Sequence, residues 1–572
     1  MHWEYSSLPQ SLIDTKATQW KKDTLLTTLL LNRGFSDEKS ANEFISPEIS
    51  AFRDPFEFEK MDKVVEKILE KREKKEKIFI YGDYDVDGIT AAVFLVKVFR
   101  EIGIEVDYYI PNRMEEGYGL DKKAIDFMRK KDCKLVITVD TGVNSIEDVR
   151  YAFSLGIDVI VTDHHKSVKD KEDDELLLLN PKLSDTYKFK YLSGAGVALK
   201  VAQGVYSRLG VEDNKLYQYM DIVMIGTVAD VVPMIDENRI IIKEGLKTLR
   251  KTKVKGLMYL LKYLKFQGKE INTTDVSYFI SPLINSLGRI GVSKMGADFF
   301  LKNDEFEIYN IIEEMKKSNK KRRELEKAIY EEADSKIKKM GKNDPKCAFL
   351  YSKKWHPGVI GVVSSRLSVK YNMPIALIAL KDNIGKASCR SVKGISIFNI
   401  FQSMKDKLVR FGGHDLASGF IVKQENLNEI EKIFKEKISK IEVEEERKIL
   451  KIDMKYPIED IDERIFDAMG KLAPFGLENS HPLFLDENLS FDYIKKFGVN
   501  ERHFNGIIKK NGKKYHMVAF DLGHKINELE SKIQKFDIVY YPEKVFYKGE
   551  EIIQIRIKDI KIKDDFYEIF TK

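Results

Sequence analysis

The sequence predicts an α/β protein in which a lobe built on a parallel sheet is joined by a long helix to a smaller α/β lobe, with a β-barrel domain following. Three patterns predict this arrangement. From residue 77 onward, apolar runs such as KIFIYG, KLVITVD and DVIVTD alternate with helical periodicity, which is typical of βαβ units. Residues 304–340 have the periodicity of one long helix, and strand patterns dominate from about residue 447.

Length and composition narrow the class of protein. The 572 residues correspond to roughly three or four domains. With 43% hydrophobic and 33% charged residues, collagen-like and largely disordered chains are excluded. No apolar run reaches the roughly 18 residues of a spanning helix, and MHWEYSSLPQ lacks a signal-peptide pattern. We therefore expect a cytoplasmic protein that does not bind membranes.

The three cysteines do not form a recognisable site. Cys133, Cys347 and Cys389 are far apart and include no CxxC pair. Neither a disulfide framework nor a thiolate zinc site is supported by this spacing. Three small, buried or half-buried residues without a functional role are expected instead.

Breaks in the pattern divide the chain into five segments. The first is mixed in composition with only a short apolar stretch, so a small helical segment is expected there. Gly341 and Pro345 separate the connecting helix from the second α/β pattern. The predicted segments are an N-terminal helical segment, the first lobe, the connecting helix, the second lobe and the β-rich domain: residues 1–50, 51–303, 304–340, 341–445 and 446–572.

The connecting helix carries a basic run, KKSNKKRR at 316–323, with six bases in eight residues. A helical segment that is polar all round is typical of a bridge between domains. A basic run also suits contact with phosphates. Both interpretations stay open, because the net charge of +6 is too small to establish a polyanionic partner.

The most informative stretch is IYGDYDVDGIT, where Asp83, Asp85 and Asp87 follow a predicted strand and precede a helix. Ligands of open α/β sheets bind at this carboxyl edge. The DxDxDG pattern also opens an EF-hand loop, but the twelfth position counted from Asp83 is Phe94 instead of the required Glu. The pattern therefore favours a ligand site at the sheet edge.

Two further strands end on acids. KLVITVD closes on Asp140, and DVIVTD closes on Asp163, which His164 and His165 follow directly. The ends of parallel strands lie on one edge of the sheet, so these side chains are expected to converge. Asp230, in GTVADVVP, ends a predicted helix that can reach the same edge.

This set of donors predicts a metal site. Each acid taken alone is equally well explained as a helix N-cap. Several carboxylates in one partly dry cleft repel one another, however, so their pKa values rise unless cations neutralise them. Oxygen and imidazole donors without thiolate favour Mg²⁺ or Mn²⁺ over Zn²⁺. Two such ions support in-line displacement at a phosphate ester, which predicts metal-dependent phosphoester hydrolysis.

In this order, DYDVDG, TVDTG, DHH and GTVADVVP resemble the motifs of the DHH phosphoesterase superfamily, and GGHDLASG at 412–419 resembles the signature of its DHHA1 domain. The similarity covers nearly the whole chain. Within the superfamily, it is to bacterial exonucleases that degrade single-stranded DNA in the 5′→3′ direction. The resemblance implies a DHH-type lobe, a DHHA1 lobe and an OB-like, nucleic-acid-binding barrel.

The resemblance also implies roles at the centre. His165 is expected to contact the scissile phosphate or protonate the leaving group, with Asp140 in the catalytic group. Some members have a His where this chain has Tyr81, so Asp83 is a candidate to replace that ligand, and which acid bridges the ions stays open. The residues implied to hold two Mn²⁺ or Mg²⁺ ions are Asp83, Asp85, Asp87, Asp140, His164 and Asp230.

Further motifs are similar to positions that hold DNA phosphates and the 5′ end. Guanidinium groups suit this role because they hold phosphate oxygens in a bidentate way. The alternatives are surface ion pairs for the arginines and a tight turn with a capped His in the glycine-rich motif. The resemblance implies this role for Arg113, Arg289, Ser388 and Arg390. Two further candidates for contacting phosphates come from the second lobe: His356, beside a predicted helix start at Gly358, and His414, in the glycine-rich motif.

The β-rich segment combines a hairpin signal with aromatic and basic residues. Asn511-Gly512 between alternating apolar residues predicts a tight β-hairpin. Proteins that bind single strands stack bases on aromatic rings along a basic groove, so some rings here are expected to contact nucleic acid while others fill the core. They are Phe497, Phe504, Tyr515, Tyr540, Tyr541, Phe546 and Tyr547.

The predicted function is a metal-dependent exonuclease that hydrolyses single-stranded DNA from the 5′ end to 5′ mononucleotides, in repair and recombination. The resemblance alone supplies the direction of degradation and the preference for DNA. It also supplies the expected partners, a single-strand-binding protein and a helicase. We expect the protein to be a monomer. One alternative is a DHH-family phosphodiesterase acting on cyclic dinucleotides or short oligonucleotides, which would not need an extra domain of about 125 residues. A non-catalytic DNA-binding scaffold would be expected to lose several ligands.

Overall fold

The computed structural model describes residues 2–112, 119–167, 176–340, 346–442, 449–498, 501–529, 535–547 and 550–562. They fall into two units, one of residues 52–444 and one that combines residues 1–51 with 445–572. Within the described ranges, no helix is both long enough and apolar enough to cross a bilayer.

The N-terminal residues belong to the second of these units. Asp23 and Asp37 cap two of their helices by accepting hydrogen bonds from the amides of Leu26 and Ser40. Trp20 packs in one core with residues of the C-terminal domain. The elements are β1 (His2–Tyr5), α1 (Gln10–Trp20), α2 (Thr24–Asn32) and α3 (Glu38–Ile45).

The first lobe of the larger unit is a five-stranded, wholly parallel sheet. Side chains of its strands alternate between two cores, with Ile78 and Ile80 in one and Phe79 and Tyr81 in the other, as expected for a sheet covered on both faces. The elements are α4 (Met61–Glu73), β2 (Lys77–Gly82), α5 (Val86–Glu101), β3 (Val106–Tyr109), α6 (Lys122–Lys130), β4 (Cys133–Val139), α7 (Ile146–Ser154), β5 (Asp158–Thr162) and β6 (Leu177–Leu179), in sheet order β3-β2-β4-β5-β6.

A set of helices completes this lobe. α5, α8 and α10 pack on one another beside the sheet. The elements are α8 (Gly194–Leu209), α9 (Asn214–Tyr217), α10 (Met220–Ala229), α11 (Asp236–Leu249), α12 (Lys255–Tyr263), α13 (Thr273–Asp275), a π-helical turn (Val276–Ile280), α14 (Ser281–Ile290), α15 (Lys294–Leu301) and α16 (Glu305–Lys339).

The long helix α16 connects the two lobes, as predicted. Its N-terminal half buries Ile308 and Met315 in the core of the first lobe. Its C-terminal half buries Ile329 and Ile337 in the core of the second lobe. The polar middle of the helix lies between these two contacts, which is the bridging arrangement that its composition indicates.

The second lobe contains a five-stranded mixed sheet. Only β7 and β8 are parallel, and its other pairs are antiparallel. The elements are β7 (Ala348–Ser352), α17 (Ile360–Tyr371), β8 (Ile375–Lys381), β9 (Ile384–Arg390), α18 (Ile397–Gln402), β10 (Arg410–His414), β11 (Ala417–Lys423) and α19 (Leu427–Ser439), in sheet order β10-β11-β9-β8-β7.

The C-terminal domain is a closed five-stranded barrel, because β14 pairs with both β15 and β17. β1 pairs in parallel with β12, which joins the N-terminal segment of this unit to the beginning of its C-terminal segment. The elements are β12 (Ile449–Ile452), β13 (Met454–Lys455), α20 (Glu463–Leu472), β14 (Phe484–Phe497), β15 (His503–Lys510), β16 (Lys513–Ala519), α21 (Gly523–Leu529), β17 (Phe536–Tyr547) and β18 (Glu550–Ile562).

Two local predictions are confirmed. Asn511 and Gly512 connect β15 and β16 with φ values of 48° and 80°, and two successive positive φ angles define the tight hairpin turn that Asn-Gly favours. The thiols of Cys133, Cys347 and Cys389 are buried and free.

Candidate metal centre

The carboxyl ends of three neighbouring strands meet at one point. Asp83 follows β2, Asp140 follows β4, and Asp163 follows β5, and these strands are adjacent in the parallel sheet. Three overlapping groups of side chains there have ligand atoms within 4.8 Å of one another. The groups are Asp83, Asp85 and Asp140; Asp87, His164 and Asp230; and Asp140, His164 and His165.

His164 and Asp140 form the middle of this cluster. The Nε2 atom of His164 lies 3.0 Å from Oδ1 of Asp140, 3.5 Å from Oδ2 of Asp230 and 3.9 Å from Oδ2 of Asp87. Nε2 of His164 and Oδ1 of Asp140 are buried and make no hydrogen bond within the described residues. Buried polar atoms without partners are rare, so this convergence of donors fits a cation.

Backbone amides of α8 fix Asp87. Its Oδ2 accepts a hydrogen bond of 2.6 Å from the amide of Gly194, and its Oδ1 accepts one of 3.0 Å from the amide of Ala195. A Cβ atom at residue 194 would overlap Cβ of Asp140, so only glycine allows this close approach.

Asp85 caps helix α5 and also belongs to the cluster of metal-ligand candidates. Its Oδ1 accepts hydrogen bonds from the amides of Asp87 and Gly88 at 3.0 and 3.1 Å, which caps α5. The cap engages a single carboxylate oxygen. The N-cap interpretation therefore holds for Asp85 without removing it from the ligand set.

The acids of the cluster are crowded. Burial and the neighbouring charge of Asp85 raise the pKa of Asp87 to about 7. Burial and the charge of Asp87 raise the pKa values of Asp140 and Asp230 well above the ordinary range. Bound cations would relieve both the desolvation and the repulsion of these carboxylates.

Asp163, which the sequence places at this edge of the sheet without a metal-binding or catalytic assignment, orients the tandem histidines. Its Oδ1 accepts the amide hydrogens of His164 and His165 at 2.7 and 3.0 Å and lies 2.8 Å from Nδ1 of His165. Its Oδ2 accepts a hydrogen bond of 2.9 Å from the amide of Val143. An acid directly before two histidines at a strand end is the sequence signal for this arrangement.

The two imidazoles differ in charge because their surroundings differ. Burial alone would lower the pKa of His165, but the charge of Asp163 and its hydrogen bond raise it to about 9. Burial, His165 and Lys182 together hold the pKa of His164 well below its ordinary value. In the metal-free chain these surroundings favour the neutral form of His164, which is the form that binds metals, and the protonated form of His165.

Residues of the second lobe contact the first lobe beside the metal centre. The ring of His414 stacks on His165 at a centroid distance of 5.5 Å. Nζ of Lys166 lies 2.8 Å from Oδ2 of Asp415, and Nη1 of Arg289 donates a hydrogen bond of 3.1 Å to the carbonyl of Gly358. The centre therefore lies at the junction of the two lobes.

The other residues that were predicted to bind phosphate lie at different positions in the structure. Arg390 donates through Nη1 to Oγ of Ser388 at 3.4 Å on β9, next to the beginning of α17. Nδ1 of His356 accepts a hydrogen bond of 3.2 Å from the amide of Gly358, so this ring caps a turn. Arg113 lies outside the described residues.

Tyr81 does not contribute to the cluster. Its ring is buried in the core on the opposite face of the sheet, and its hydroxyl donates a hydrogen bond of 2.8 Å to the carbonyl of Gly119. The position is therefore structural in this chain. Asp83, one residue beyond β2, is among the acids near Asp140.

Comparison with known proteins agrees with this geometry. The family model described as the DHH family, N-terminal domain, matches residues 77–227. The DHHA1 domain matches residues 344–440, and the RecJ OB domain matches residues 452–559. The fold and the cluster thus define a protein of the DHH class with a DHHA1 lobe and an OB-like barrel, which confirms the predicted fold class.

The relatives narrow the class further. The chain is 32% identical over 526 residues to the single-stranded-DNA-specific exonuclease RecJ of Bacillus subtilis (strain 168), covering 91% of this chain and 66% of the relative. It is 30% identical over 399 residues to the same-named protein of Escherichia coli (strain K12), covering 66% and 69% of the two chains. The chain belongs to the RecJ family.

Two solved structures are also similar. RecJ from Thermus thermophilus in complex with Mn²⁺ matches with a TM-score of 0.83 at 24% identity, covering 98% of this chain and 80% of that chain. A second structure, exonuclease RecJ bound to manganese, matches with a TM-score of 0.59 at 29% identity, covering 69% and 97%. The first of these shows the shared fold over almost the whole chain.

Proposed function

We propose that this chain is a metal-dependent exonuclease that hydrolyses phosphodiester bonds of single-stranded DNA from the 5′ end and releases 5′ mononucleotides. The observation that carries the proposal is the 3.0 Å approach of His164 Nε2 to Asp140 Oδ1, two buried atoms without hydrogen-bond partners among the described residues. Relatives named as single-stranded-DNA-specific exonucleases support the choice of substrate.

The donors fit two Mn²⁺ or Mg²⁺ ions. Carboxylate oxygens and a neutral imidazole suit these hard cations, and no thiolate lies in the groups. When bound, the ions supply Lewis-acid activation of the phosphate ester and of water. The proposed ligands are Asp83, Asp85, Asp87, Asp140, His164 and Asp230.

His165 would act on the reacting phosphate. Asp163 holds Nδ1 of the ring, and His414 stacks on its face, so the ring is fixed from two sides. A pKa raised to about 9 keeps the imidazole protonated at neutral pH. From Nε2 it can donate a hydrogen bond to the scissile phosphate or a proton to the leaving oxygen.

The DNA 5′ end would be held by side chains around the junction of the lobes. The arginines offer paired donors to phosphate oxygens, and the stacked His414 extends the site from the second lobe. We propose the residues Arg289, Ser388, Arg390, His356 and His414 for this role. Arg113, which lies outside the described residues, is proposed as a further phosphate-binding residue from the family resemblance.

The barrel domain would bind single strands. Phe504, Tyr540 and Tyr541 are buried and fill its core, which leaves the half-buried Phe497 and Tyr515 as better candidates for stacking on bases. The side chains of Phe546 and Tyr547 lie outside the described residues. The match of this domain to the RecJ OB domain favours long strands as substrates over cyclic dinucleotides or short oligonucleotides.

The proposal extends to the cellular setting. Hydrolysis of DNA fits the cytoplasm and a role in DNA repair and recombination. A monomer, and a single-strand-binding protein and a helicase as partners, are part of the proposal through the family alone.

Digestion of end-labelled DNA tests the proposed function. Strands labelled at the 5′ or the 3′ end, and matching duplexes, are incubated with Mn²⁺, Mg²⁺ or EDTA. We expect immediate release of the 5′ label as a mononucleotide from single strands only, and no reaction in EDTA. Activity in EDTA, first release of the 3′ label, or preference for a cyclic dinucleotide would contradict the proposal.

A further inference from the structure

The turn between β10 and β11 places two consecutive residues of the second lobe on two consecutive residues of the first lobe. The ring of His414 stacks on the ring of His165 with an interplanar angle of 11°. Directly after them in both segments, Nζ of Lys166 donates a hydrogen bond of 2.8 Å to Oδ2 of Asp415. The proposed reaction uses the two rings and leaves the ion pair beside them without a role.

The carboxylate of Asp415 is fixed within its own lobe. Its Oδ1 accepts a hydrogen bond of 2.7 Å from Oγ of Ser396, and its backbone carbonyl accepts one of 2.9 Å from the amide of Ile397 at the beginning of α18. Oγ of Ser396 in turn accepts a hydrogen bond of 3.2 Å from the amide of Asn399. Asp415 therefore loses little conformational entropy when it pairs with Lys166.

The backbone at Lys166 is fixed within the first lobe. Its carbonyl accepts a hydrogen bond of 3.1 Å from Nδ2 of Asn144, in the loop after β4. The carbonyl of His165 accepts one of 2.9 Å from Nδ2 of Asn180, which follows β6. Surface ion pairs contribute little where two mobile side chains must be ordered. This pair joins two segments that are already ordered, so that cost is reduced.

The stacked rings need further contacts to keep their positions. Ring stacking is weak and allows offset arrangements, so one ring can slide over the other at low cost. The other end of β10 also lies against the first lobe, since Nη2 of Arg410 would be 2.9 Å from a Cβ atom at Gly119. With Arg410 at one end of the strand and Asp415 directly after the other end, sliding of the hairpin along the first lobe is restricted.

We propose that Lys166 and Asp415 are positioning residues for the hydrolysis and that their ion pair keeps His414 stacked on His165. This inference rests on the proposed function, in which His165 acts on the scissile phosphate. Neither residue touches the reacting atoms, so the pair acts through the two rings. The side chains of Lys166 and Asp415 are 60% and 47% exposed, so we expect effects of a few-fold instead of complete loss.

Hydrogen exchange in the metal-free full chain tests the contact without any catalysis. Lys166→Met changes the first lobe, and the amides of residues 410–417 report on the second lobe. Loss of the ion pair is expected to raise their exchange rates about threefold, whereas Lys166→Arg keeps the charge and should keep the wild-type rates. Lys74→Met is the matched control, because it breaks a similarly exposed ion pair of 2.7 Å with Glu70 that lies wholly within the first lobe. Unchanged exchange in Lys166→Met, or the same increase in Lys74→Met, would overturn the proposal.

Hydrolysis in Mn²⁺ over a range of single-stranded DNA concentrations tests the positioning role. Lys166→Met and Asp415→Asn are each expected to lower kcat about threefold with unchanged KM. The double variant should be no slower than either single variant, because all three lack the same pair. Added salt should narrow the difference in kcat from the wild type, since it screens exposed charges.

Two kinetic results would overturn the proposal. A raised KM in Lys166→Met alone would mean that Lys166 binds DNA directly. Additive losses of kcat in the double variant would mean that Lys166 and Asp415 act independently.

The positioning role and the proposed function fail in different ways. If the wild type degrades DNA while exchange and kcat are unchanged in the variants, the positioning role is wrong and the function stands. If the wild type degrades no DNA, the function is refuted and the positioning role with it, even where the exchange rates show that the ion pair joins the lobes.

Discussion

Oδ1 of Asp163 lies 2.8 Å from Nδ1 of His165 and also accepts the amide hydrogens of His164 and His165. One buried carboxylate oxygen thus fixes both the backbone of the two histidines and the ring of His165. The second oxygen is held by the amide of Val143. The carboxylate is therefore positioned on both sides before any substrate arrives.

Asp163→Asn is expected to lower kcat for single-stranded DNA by about a hundredfold, because a proton donor loses its orienting charge. The loss of that charge also lowers the pKa of His165 from about 9, so the alkaline limb of the pH–rate profile should move to lower pH. Asp158→Asn, at the other end of β5, is the control. Equal profiles for Asp163→Asn and the wild type would contradict this role.

Asp140→Asn is expected to abolish metal-dependent hydrolysis while leaving the fold intact. The matched control is Asp132→Asn, because Asp132 and Asp140 flank β4 and have φ values of 62° and 60°. Asn tolerates this backbone conformation as well as Asp does, so a difference between the two variants reports the role of the carboxylate. Digestion of 5′-labelled strands in Mn²⁺ measures it, and comparable activity of both variants would argue against Asp140 as a ligand.

The metal-free protein is expected to lose stability as the pH rises. The pKa of Asp87 is raised from 3.8 to about 7 in the folded chain, so its neutral form is favoured, and the stability that this form contributes is lost as the pH passes about 7. Mn²⁺ binds the ionised form and offsets the loss. The increase in Tm that Mn²⁺ causes should therefore be larger at about pH 8 than at about pH 5. If the increase in Tm caused by Mn²⁺ is the same at both pH values, the proposed effect of crowding on the pKa of Asp87 is wrong.

A second pH effect belongs to the C-terminal unit. His481 lies between Phe475 and Tyr541 at centroid distances of 4.1 and 4.3 Å, and burial lowers its pKa to about 4. The neutral ring contributes stability above its ordinary pKa, and this stability is lost as the pH falls through about 4.

His481→Phe is expected to remove about 3 kcal/mol of the acid destabilisation of this unit between pH 7 and pH 4. Hydrogen exchange in β17 and β18 of the full chain, measured at both pH values in urea, reports the unit directly. His524→Phe, at an exposed position on α21, should leave the acid sensitivity unchanged. If His481→Phe is destabilised by acid as much as the wild type is, groups other than His481 cause the acid destabilisation.

The parts of the site that the sequence predicts are those set by periodicity. Asp83 and Asp140 follow strands whose apolar runs are unmistakable, and the parallel topology then requires their ends to meet. The position of Asp230 is harder to predict from the sequence. It depends on the packing of α10 on α5, which no local pattern specifies.

Contacts between distant segments were beyond prediction. The amides of Gly194 and Ala195, which hold Asp87, lie more than a hundred residues after it in the chain. The sequence GAGVALK contains no pattern that predicts a carboxylate partner for these amides. The parallel pairing of β1 with β12 joins segments that are more than four hundred residues apart in the chain. Such pairings arise from tertiary packing, which overrides local propensity.

Counting bound Mn²⁺ tests the central claim most directly. Titration of the metal-free full chain with Mn²⁺, followed by electron paramagnetic resonance of the free ion, gives the number of sites. We predict two bound ions per wild-type chain, with loss of at least one in Asp140→Asn and none in Asp132→Asn. A wild type that binds no Mn²⁺, or an Asp140→Asn variant that binds as many ions as the wild type, would contradict the account.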